Sequence, residues 1–239
     1  MSALALAIVL ALVSPISMHA TLTPQKAAGL EPVTVAISLQ NHSRLATTLE
    51  FPTADLFFVQ IRDAKGEVLF DSRSGHKPIE VHRKLFVPIG MSTVADFIWN
   101  GLDDQQHALL PGNYVVHVEM GSVTAHLTAD LPLVLEAPAG IATVLSSKPR
   151  QPVTVSGAAM REGSVTYLQD DTGRIAISTP LGLHPQGDYV VRGIFGDLPG
   201  GQGLRVSRFA PAAGNLAPEA TPTPLPSPTP TLPVPHRSG

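Results

Sequence analysis

The 239-residue chain contains no cysteine. Disulfide bonds, thiolate metal sites and a cysteine nucleophile are therefore excluded, and any exported form is held together by packing alone. Charged residues make up only 15% of the sequence, which is low for a cytosolic surface. The chain is nevertheless 44% apolar, so it can bury the core of one large domain or of two small ones.

A basic excess is also missing. Between Glu31 and Glu136, 7 Lys/Arg stand against 13 Asp/Glu, a net charge of −6, and between Gln151 and Phe209, 5 Arg stand against 5 Asp/Glu, a net charge of zero. Neither segment has the cationic surplus that binding to a phosphate backbone requires. We therefore predict that the protein does not bind nucleic acid.

Local catalytic motifs are absent from the sequence as well. It has no Gly-rich phosphate loop, no Gly-x-Ser-x-Gly elbow and no His-Glu-x-x-His. The carboxylate pairs Asp103-Asp104 and Asp170-Asp171 fall in turn sequences, where such residues usually cap backbone N–H groups, with cation binding as the alternative. We predict that the protein is not an enzyme and that it holds no cofactor.

The amino terminus carries a targeting pattern. The apolar run from Ala3 to Val13 is long enough for a signal-peptide core and too short to span a bilayer. We predict a leader over residues 1–20, with Ala20 last before cleavage, and an exported protein, secreted or periplasmic, with no membrane anchor afterwards. Since Lys26 is the first basic residue, the usual basic segment would lie upstream of a misplaced start codon. A buried amino-terminal helix is the alternative, which Pro15 would break.

Short strand-like runs with turn signals between them follow the leader, as in "VTVAISLQN", "ATTLEF" and "LFFVQIRDAKGEVLF". Phe97 and Trp99 are two apart, so they share one face of a strand, and Tyr114 heads an alternating stripe with Val116, Val118 and Met120. We predict that Trp99 and Tyr114 are structural core residues. No stretch shows helical periodicity over three turns, so the pattern favours an immunoglobulin-like antiparallel β-sandwich over residues 31–136.

Several motifs in this segment form a family pattern. They are an apolar strand ending in Asn41-x-Ser43, which we interpret as a strand-end turn rather than a glycosylation site, a turn from Asp63 to Gly66, a Trp99-x-Gly101-x-Asp103 element and a Pro111-Gly-x-Tyr114 element. Together they resemble the intracellular proteinase inhibitor (BsuPI) family over about residues 31 to 120. The resemblance implies the sandwich fold and, as an activity, proteinase inhibition. The chain departs from the family pattern after Asp103, where it has Asp104-Gln105-Gln106-His107 in place of the usual glycine.

The function predicted from these observations is a non-catalytic protein-binding module. An inhibitor needs a loop that fits a protease cleft and resists turnover, and residues 72–84 form the longest polar connection. Arg73, His76 and Lys77 are therefore the candidate inhibitory residues, and a protease is the candidate partner. The alternative is a structural or adhesive module of the cell envelope, whose partner is an envelope component.

One pair of histidines is a candidate metal site. If Gly121-Ser122 forms a two-residue hairpin turn, His117 lies opposite His126 on the face away from Tyr114. Two close imidazoles can share a zinc or copper ion, although no third or fourth ligand is evident in the sequence. Solvated histidines are commoner, so we predict no metal site here and keep the shared ion as the alternative.

The rest of the chain divides into three parts. Residues 137–150 form a connector with a possible extra strand. Residues 151–210 resemble a small OB-fold-like barrel, in which Tyr167, Tyr189, Phe195 and Phe209 either stack bases or, as we predict, fill the core. In residues 211–239, 9 of 29 residues are proline, many of them alternating with Thr or Ser. This composition predicts a disordered Pro-rich tail or an extended stalk.

Overall fold

The computed structural model describes residues 15–75, 77, 79–178, 187–198 and 201–213, and nearly all of its regular structure is extended. The first unit has ten strands: β1 (Ile16–Thr23), β2 (Lys26–Ala28), β3 (Val33–Asn41), β4 (Thr47–Thr53), β5 (Phe57–Arg62), β6 (Val68–Asp71), β7 (Glu80–Val87), β8 (Gly90–Trp99), β9 (Gly112–Met120) and β10 (Thr128–Glu136). The second unit follows: α1 (Ile141–Ser147), β11 (Val153–Glu162), β12 (Val165–Gln169), β13 (Arg174–Ile177), β14 (Asp188–Leu198) and β15 (Gly201–Pro211). The predicted all-β fold, a sandwich followed by a small barrel, is confirmed.

Two sheets make the sandwich, with strand orders β1-β3-β8 and β2-β10-β9-β5-β6. The alternation that predicted strand β3 places its odd-numbered side chains, Val33 to Leu39, in the interior. The stripe on β9 that begins at Tyr114 belongs to the other sheet, and its side chains are also buried. Trp99 is 2% exposed in the same cluster, and its indole N–H donates to the Leu102 carbonyl at 2.8 Å. The core roles predicted for Trp99 and Tyr114 are therefore confirmed.

The start of β9 is tied to the chain that precedes it. The Tyr114 hydroxyl donates to the carbonyl of Leu110 at 2.6 Å, the kind of tyrosine bond that closes a strand connection in immunoglobulin-like sandwiches. At the same end of the sandwich, Gly101 has a φ of +80°, and a Cβ there would lie 2.8 Å from the backbone nitrogen of Leu30. Only glycine fits this position without strain.

At the opposite end of the sandwich the chain turns around Asn41, which is 1% exposed. Its amide nitrogen donates to the carbonyls of Leu45 and Val87 at 3.0 and 3.1 Å, and its side-chain oxygen accepts from the backbone N–H of Ser43 at 2.9 Å. The ladder between β3 and β8 ends at the pair Asn41 and Gly90, and a second ladder between β4 and β7 begins at the pair Thr47 and Val87. The predicted strand-end turn is confirmed. At this corner the segment after β3 and the segment before β8 both leave the β3–β8 ladder, and they pair again as β4 and β7.

The sandwich begins at Ile16 rather than at residue 31. Strand β1 pairs antiparallel with β3 along its whole length, and β2 pairs in parallel with β10. Ile16 and Leu22 are buried in the core clusters. Ala20, the predicted last residue of the leader, lies in the middle of β1. Export of the protein stays a prediction, and within the described residues no helix is long and apolar enough to cross a membrane.

The connector contains a helix, not the extra strand that we expected. Helix α1 buries Ile141 and Val144 in the core of the second unit. Its first N–H groups donate to the Asp170 carboxylate at 2.9 Å and to the Thr172 hydroxyl at 3.0 Å. The short segment is helical because the turn that contains Asp170 and Thr172 caps its first N–H groups. This contact comes from another part of the chain, so the periodicity of the segment could not predict it.

The second unit is a closed five-stranded barrel with the order β11-β12-β13-β15-β14, in which β13 and β15 are parallel. This arrangement matches the predicted OB-fold-like unit. The barrel packs directly on the sandwich. The Thr154 hydroxyl donates to the Gly29 carbonyl at 2.8 Å, Arg192 lies 3.4 Å from Glu31, and the N–H of Ala108 donates to the Pro211 carbonyl at 2.9 Å. These contacts, of which the bond from Thr154 to Gly29 is buried, join the barrel to the sandwich.

We predict that deleting residues 1–20 destabilises the protein by at least about 3 kcal/mol relative to a chain that lacks only residues 1–14 and keeps the bond from the His42 N–H to the Pro15 carbonyl. The longer deletion removes five of the eight residues of β1, including buried Ile16 and its backbone hydrogen bonds, and such burial contributes about 1.5–3 kcal/mol per aliphatic side chain. Urea unfolding followed by Trp99 fluorescence measures the difference. Equal stability of the two truncated chains would show that β1 is dispensable.

Candidate functional site

Residues 72–84, predicted to be one polar connection, are a turn followed by a strand. A turn over residues 72–75 follows β6, with Gly75 at a φ of +82°, and β7 begins at Glu80. The loop expectation is wrong for residues 80–84, because Leu85 and Val87 dock into the cluster formed by Leu49 and Phe51 and pull the preceding residues into the ladder with β4. His76 lies outside the described residues.

Arg73, the first candidate inhibitory residue, is held in place by its neighbours. Its guanidinium contacts the Asp71 carboxylate at 2.7 Å and lies 3.8 Å from Glu119. Its charged carbon is also 5.0 Å from the centre of the Phe58 ring, a cation–π distance. Entry of Arg73 into the pocket of a protease would break all of these contacts, which hold the turn after β6.

Asp71 is the centre of this network. Burial raises the pKa of its carboxyl, but hydrogen bonds from the side chain and backbone of Arg73 and from the side chain of Gln60 outweigh burial and lower the pKa to about 2. Gln60 donates to Asp71 at 2.7 Å. Asp104 joins the network from the next turn, because it accepts from the Asp71 N–H at 3.0 Å and from the Ser74 hydroxyl at 2.6 Å. Together these bonds fix where the following segment leaves the sheet.

That following segment is exposed throughout its described residues. Every described residue from Lys77 to Lys84 has an exposed side chain, although β7 already forms its ladder with β4 over part of this stretch. Among the described residues no strand pairs with the other edge of β7. We call the pair β4 and β7 the ribbon. A cleft of about 640 Å³ lies at its end, lined by Pro52, Thr53, Lys77, Glu80 and His82.

Three of the five residues that line this cleft lie within the predicted connection 72–84, whereas sequence reasoning missed Pro52 and Thr53. Pro52, Thr53, Glu80 and His82 come together only because β4 and β7 pair. The sequence does contain a strand-like apolar run that begins at Leu85. In the structure the strand that contains this run, β7, begins five residues earlier, at Glu80.

The pairing of His117 with His126, on which the alternative of a metal site depended, does not form. His117 lies opposite Asp130, with its Nδ1 2.6 Å from a carboxylate oxygen, and not opposite His126. The predicted two-residue hairpin is wrong because residues 121–127 dock on neighbouring strands instead: the N–H of Gly121 donates to Leu56 at 2.9 Å and that of Val123 to Glu50 at 3.0 Å. No group of three or more potential metal-ligating side chains occurs in the described part of the chain.

Two carboxylates singled out in the sequence cap backbone groups, as predicted. Asp103 accepts from the N–H groups of Gln105 and His107 at 2.9 and 2.7 Å. Asp170 accepts from Thr172 and Gly173, both at 2.8 Å. Burial raises the pKa of Asp170, but hydrogen bonds from the Ile141 N–H and from the Thr172 side chain lower it overall. These residues stabilise turns.

The aromatic residues of the barrel contribute mainly to its interior. Tyr189 is buried, Phe209 lies 6.1 Å from it between ring centres, and Phe195 packs on the same cluster. Tyr167 is half-buried under the Arg174 guanidinium at 4.9 Å. A cleft of about 380 Å³ on the β12–β13 side of the barrel is lined by Ser164, Val165, Thr166, Ala176, Ile177, Ser178 and Leu198, none of them charged.

Comparison with known proteins identifies no family. No family model matches the chain, and no curated protein matches it. Solved structures with partial likeness include a β-glucuronidase from glycoside hydrolase family 2 (17% identity, 50% of this chain and 11% of that chain, TM-score 0.31) and a β-glucosidase from Listeria innocua in complex with gluconolactone (17%, 50% and 16%, TM-score 0.30). A third is Spo0M, a sporulation control protein from Bacillus subtilis (10%, 75% and 79%, TM-score 0.36).

The chain therefore spans only 11% and 16% of the two glycosidase chains. At TM-scores this low, none of the three likenesses supports a statement about function. The resemblance to the BsuPI family stays a prediction.

We predict that Asp71→Asn destabilises the protein at neutral pH and flattens its acid denaturation. Because folding lowers the pKa of Asp71 from 3.8 to about 2, its contribution is present above pH 4 and is lost as the pH falls through 2. The shift corresponds to about 2 kcal/mol. Urea unfolding at stepped pH values measures it, with Asp96→Asn, an exposed carboxylate of β8, as the matched control. A parallel pH dependence in wild type and Asp71→Asn would contradict this account.

Proposed function

We propose that the protein is an exported, non-catalytic protein-binding module that recognises its partner through the ribbon and the segment that leads into it. The observation that supports this proposal is the complete exposure of the described residues from Lys77 to Lys84. Unlike a mobile loop, much of this stretch is held by the ladder between β7 and β4. A pre-ordered segment of this kind loses little conformational entropy when it binds.

Extended segments are recognised by the addition of a strand, in which main-chain hydrogen bonds supply affinity and alternate side chains supply specificity. Strand β7 offers such an edge, since only β4 pairs with it among the described residues. Ile79 and Val81 are exposed beside the charged side chains, so a partner could bury apolar surface there as well. Proteinase inhibition, which the BsuPI resemblance implies, is the specific activity that we propose.

The three cations of this stretch differ in their availability. The Arg83 guanidinium donates to the carbonyl of Ala54 at 2.9 Å, and the Lys84 ammonium lies 3.1 Å from the Glu50 carboxylate. Lys77 precedes the strand, lines the cleft and is exposed. We therefore propose Lys77, rather than Arg73, as the side chain that enters the pocket of a trypsin-like protease.

The proposal predicts that the purified full chain slows a trypsin-like protease and that Lys77→Ala weakens this inhibition by at least about tenfold, in line with the loss of a central contact residue. Lys65→Ala, which changes an exposed lysine in the Asp63–Gly66 turn of the same unit, is the matched control and should inhibit like wild type. The measurement is the inhibition constant across a panel of proteases. Unaltered protease rates together with cleavage between residues 72 and 84 would remove inhibition from consideration.

A structural role in the cell envelope is the second candidate. It is favoured by the fixed contact between sandwich and barrel, which includes the buried bond from Thr154 to Gly29, because a rigid two-unit body suits a spacer. Affinity capture with envelope and secreted proteins separates the candidates. An envelope protein retained by wild type and by Lys77→Ala alike, without any effect on proteases, would favour the structural role.

A further inference from the structure

Two imidazole rings converge on one hydroxyl group at the first strand of the sandwich. The Nε2 atom of His42 lies 2.9 Å from the Oγ atom of Ser17, and the Nε2 atom of His19 lies 3.4 Å from the same oxygen. Both histidines are exposed, and Ser17 is half-buried. We call Ser17, His19 and His42 the histidine cluster.

The pairing of β1 with β3 creates the histidine cluster. Ser17 and His19 are two residues apart on β1, so their side chains share one face of the strand. His42 directly follows the last residue of β3, and its backbone N–H donates to the Pro15 carbonyl at 2.8 Å. This bond places His42 beside the start of β1. Because Ser17 and His42 are 25 residues apart in the sequence, their spacing alone could not predict the cluster.

The separations within the histidine cluster suit a tetrahedral metal ion. Zinc binds imidazole nitrogen at about 2.0–2.1 Å, so two ligand atoms of a tetrahedral site are about 3.3–3.4 Å apart. The distance from His19 Nε2 to Ser17 Oγ already has this value, and the distance from His42 Nε2 to Ser17 Oγ is shorter by about 0.5 Å. Since both imidazole rings are exposed, a small rotation of the His42 side chain opens the shorter distance.

The chemistry of the donor atoms selects the class of metal. Imidazole nitrogen suits zinc, copper and nickel, whereas magnesium and calcium take oxygen ligands. Strands β1 and β3 carry no charged residue, so no charged side chain of these two strands competes for the imidazoles. We infer that the histidine cluster binds a divalent transition-metal ion such as zinc through the Nε2 atoms of His19 and His42, beside the Ser17 hydroxyl. Water completes the coordination, as in metal sites that keep an open position.

A serine beside a histidine also occurs in nucleophilic catalysis, where a carboxylate orients the imidazole. Among the described residues, the histidines within ion-pair distance of a carboxylate are His107 and His117, and neither belongs to the cluster. The described part of the chain therefore supplies no third member that would make Ser17 a nucleophile. Metal binding uses the donor atoms that the cluster does have.

A bound ion would join β1 to the end of β3. Because the ion binds the folded chain, in which the cluster is assembled, it stabilises the fold by mass action. A chain cleaved after Ala20, as the leader prediction expects, would lose Ser17 and His19 and keep only His42. The inference does not depend on recognition by the ribbon, since no residue of the ribbon belongs to the histidine cluster. Protease inhibition and zinc binding therefore succeed or fail separately.

The test is isothermal titration calorimetry of the full chain with zinc chloride and with magnesium chloride at neutral pH. We expect one zinc ion per chain and no magnesium binding. His19→Gln and His42→Gln should each weaken zinc binding at least about tenfold, because a single imidazole loses the advantage of two linked ligands. His126→Gln is the matched control, since His126 is exposed on the same unit but lies outside the cluster, and it should bind zinc like wild type.

The melting temperature gives a second measurement. Zinc should raise it for wild type and for His126→Gln, and should leave it unchanged for His19→Gln and His42→Gln. Because the substituted side chains are exposed, the variants should melt like wild type without zinc, and if one of the two does not, the other decides. Wild-type protein that takes up no zinc overturns the inference. Zinc binding that survives both substitutions, an equal loss with His126→Gln, or equal binding of magnesium also overturns it.

Discussion

One side-chain amide determines where the sandwich ends and the ribbon begins. Asn41 is buried where the β3–β8 ladder ends, and its amide bonds carbonyls on both of the chain segments that turn there. Without it, two backbone carbonyls at this corner would lose their donors, and a buried group left unpaired costs about 1–3 kcal/mol. The ribbon begins immediately after this corner, so its position depends on these few hydrogen bonds.

The motifs that resemble the BsuPI family all have structural tasks in this chain. Asn41 holds the corner, Asp63 accepts from the N–H groups of Lys65 and Glu67, both at 2.8 Å, and Trp99 and Tyr114 each donate to a carbonyl three or four residues away. These interactions are local, which is why spacing alone could predict the sandwich and its core. For the same reason the motifs specify a fold and leave the activity open.

The wrong predictions concern segments whose structure depends on residues far away in the sequence. The hairpin expected at Gly121-Ser122 did not form because Gly121 bonds to Leu56, 65 residues earlier in the chain. Helix α1 depends on Asp170 as a cap, and β1 belongs to the sandwich because β3 offers it a free edge. None of these partners is visible from the segment itself. At the candidate site, the spacing of Asp71 and Arg73 was a local hint that Arg73 is occupied, but Phe58 and Glu119 reach it only through the sheet.

The last strand of the barrel does not end in open solvent. After β15, the N–H of Ala213 donates to the carbonyl of Ala108 at 3.1 Å. This hydrogen bond joins the chain to the sandwich at the junction of the two units. A cargo fused after this point would start its path at the junction, about one strand length away from the Asn41 turn. Attachment chemistry at that position can therefore orient the molecule on a sensor chip with its Asn41 end facing outward.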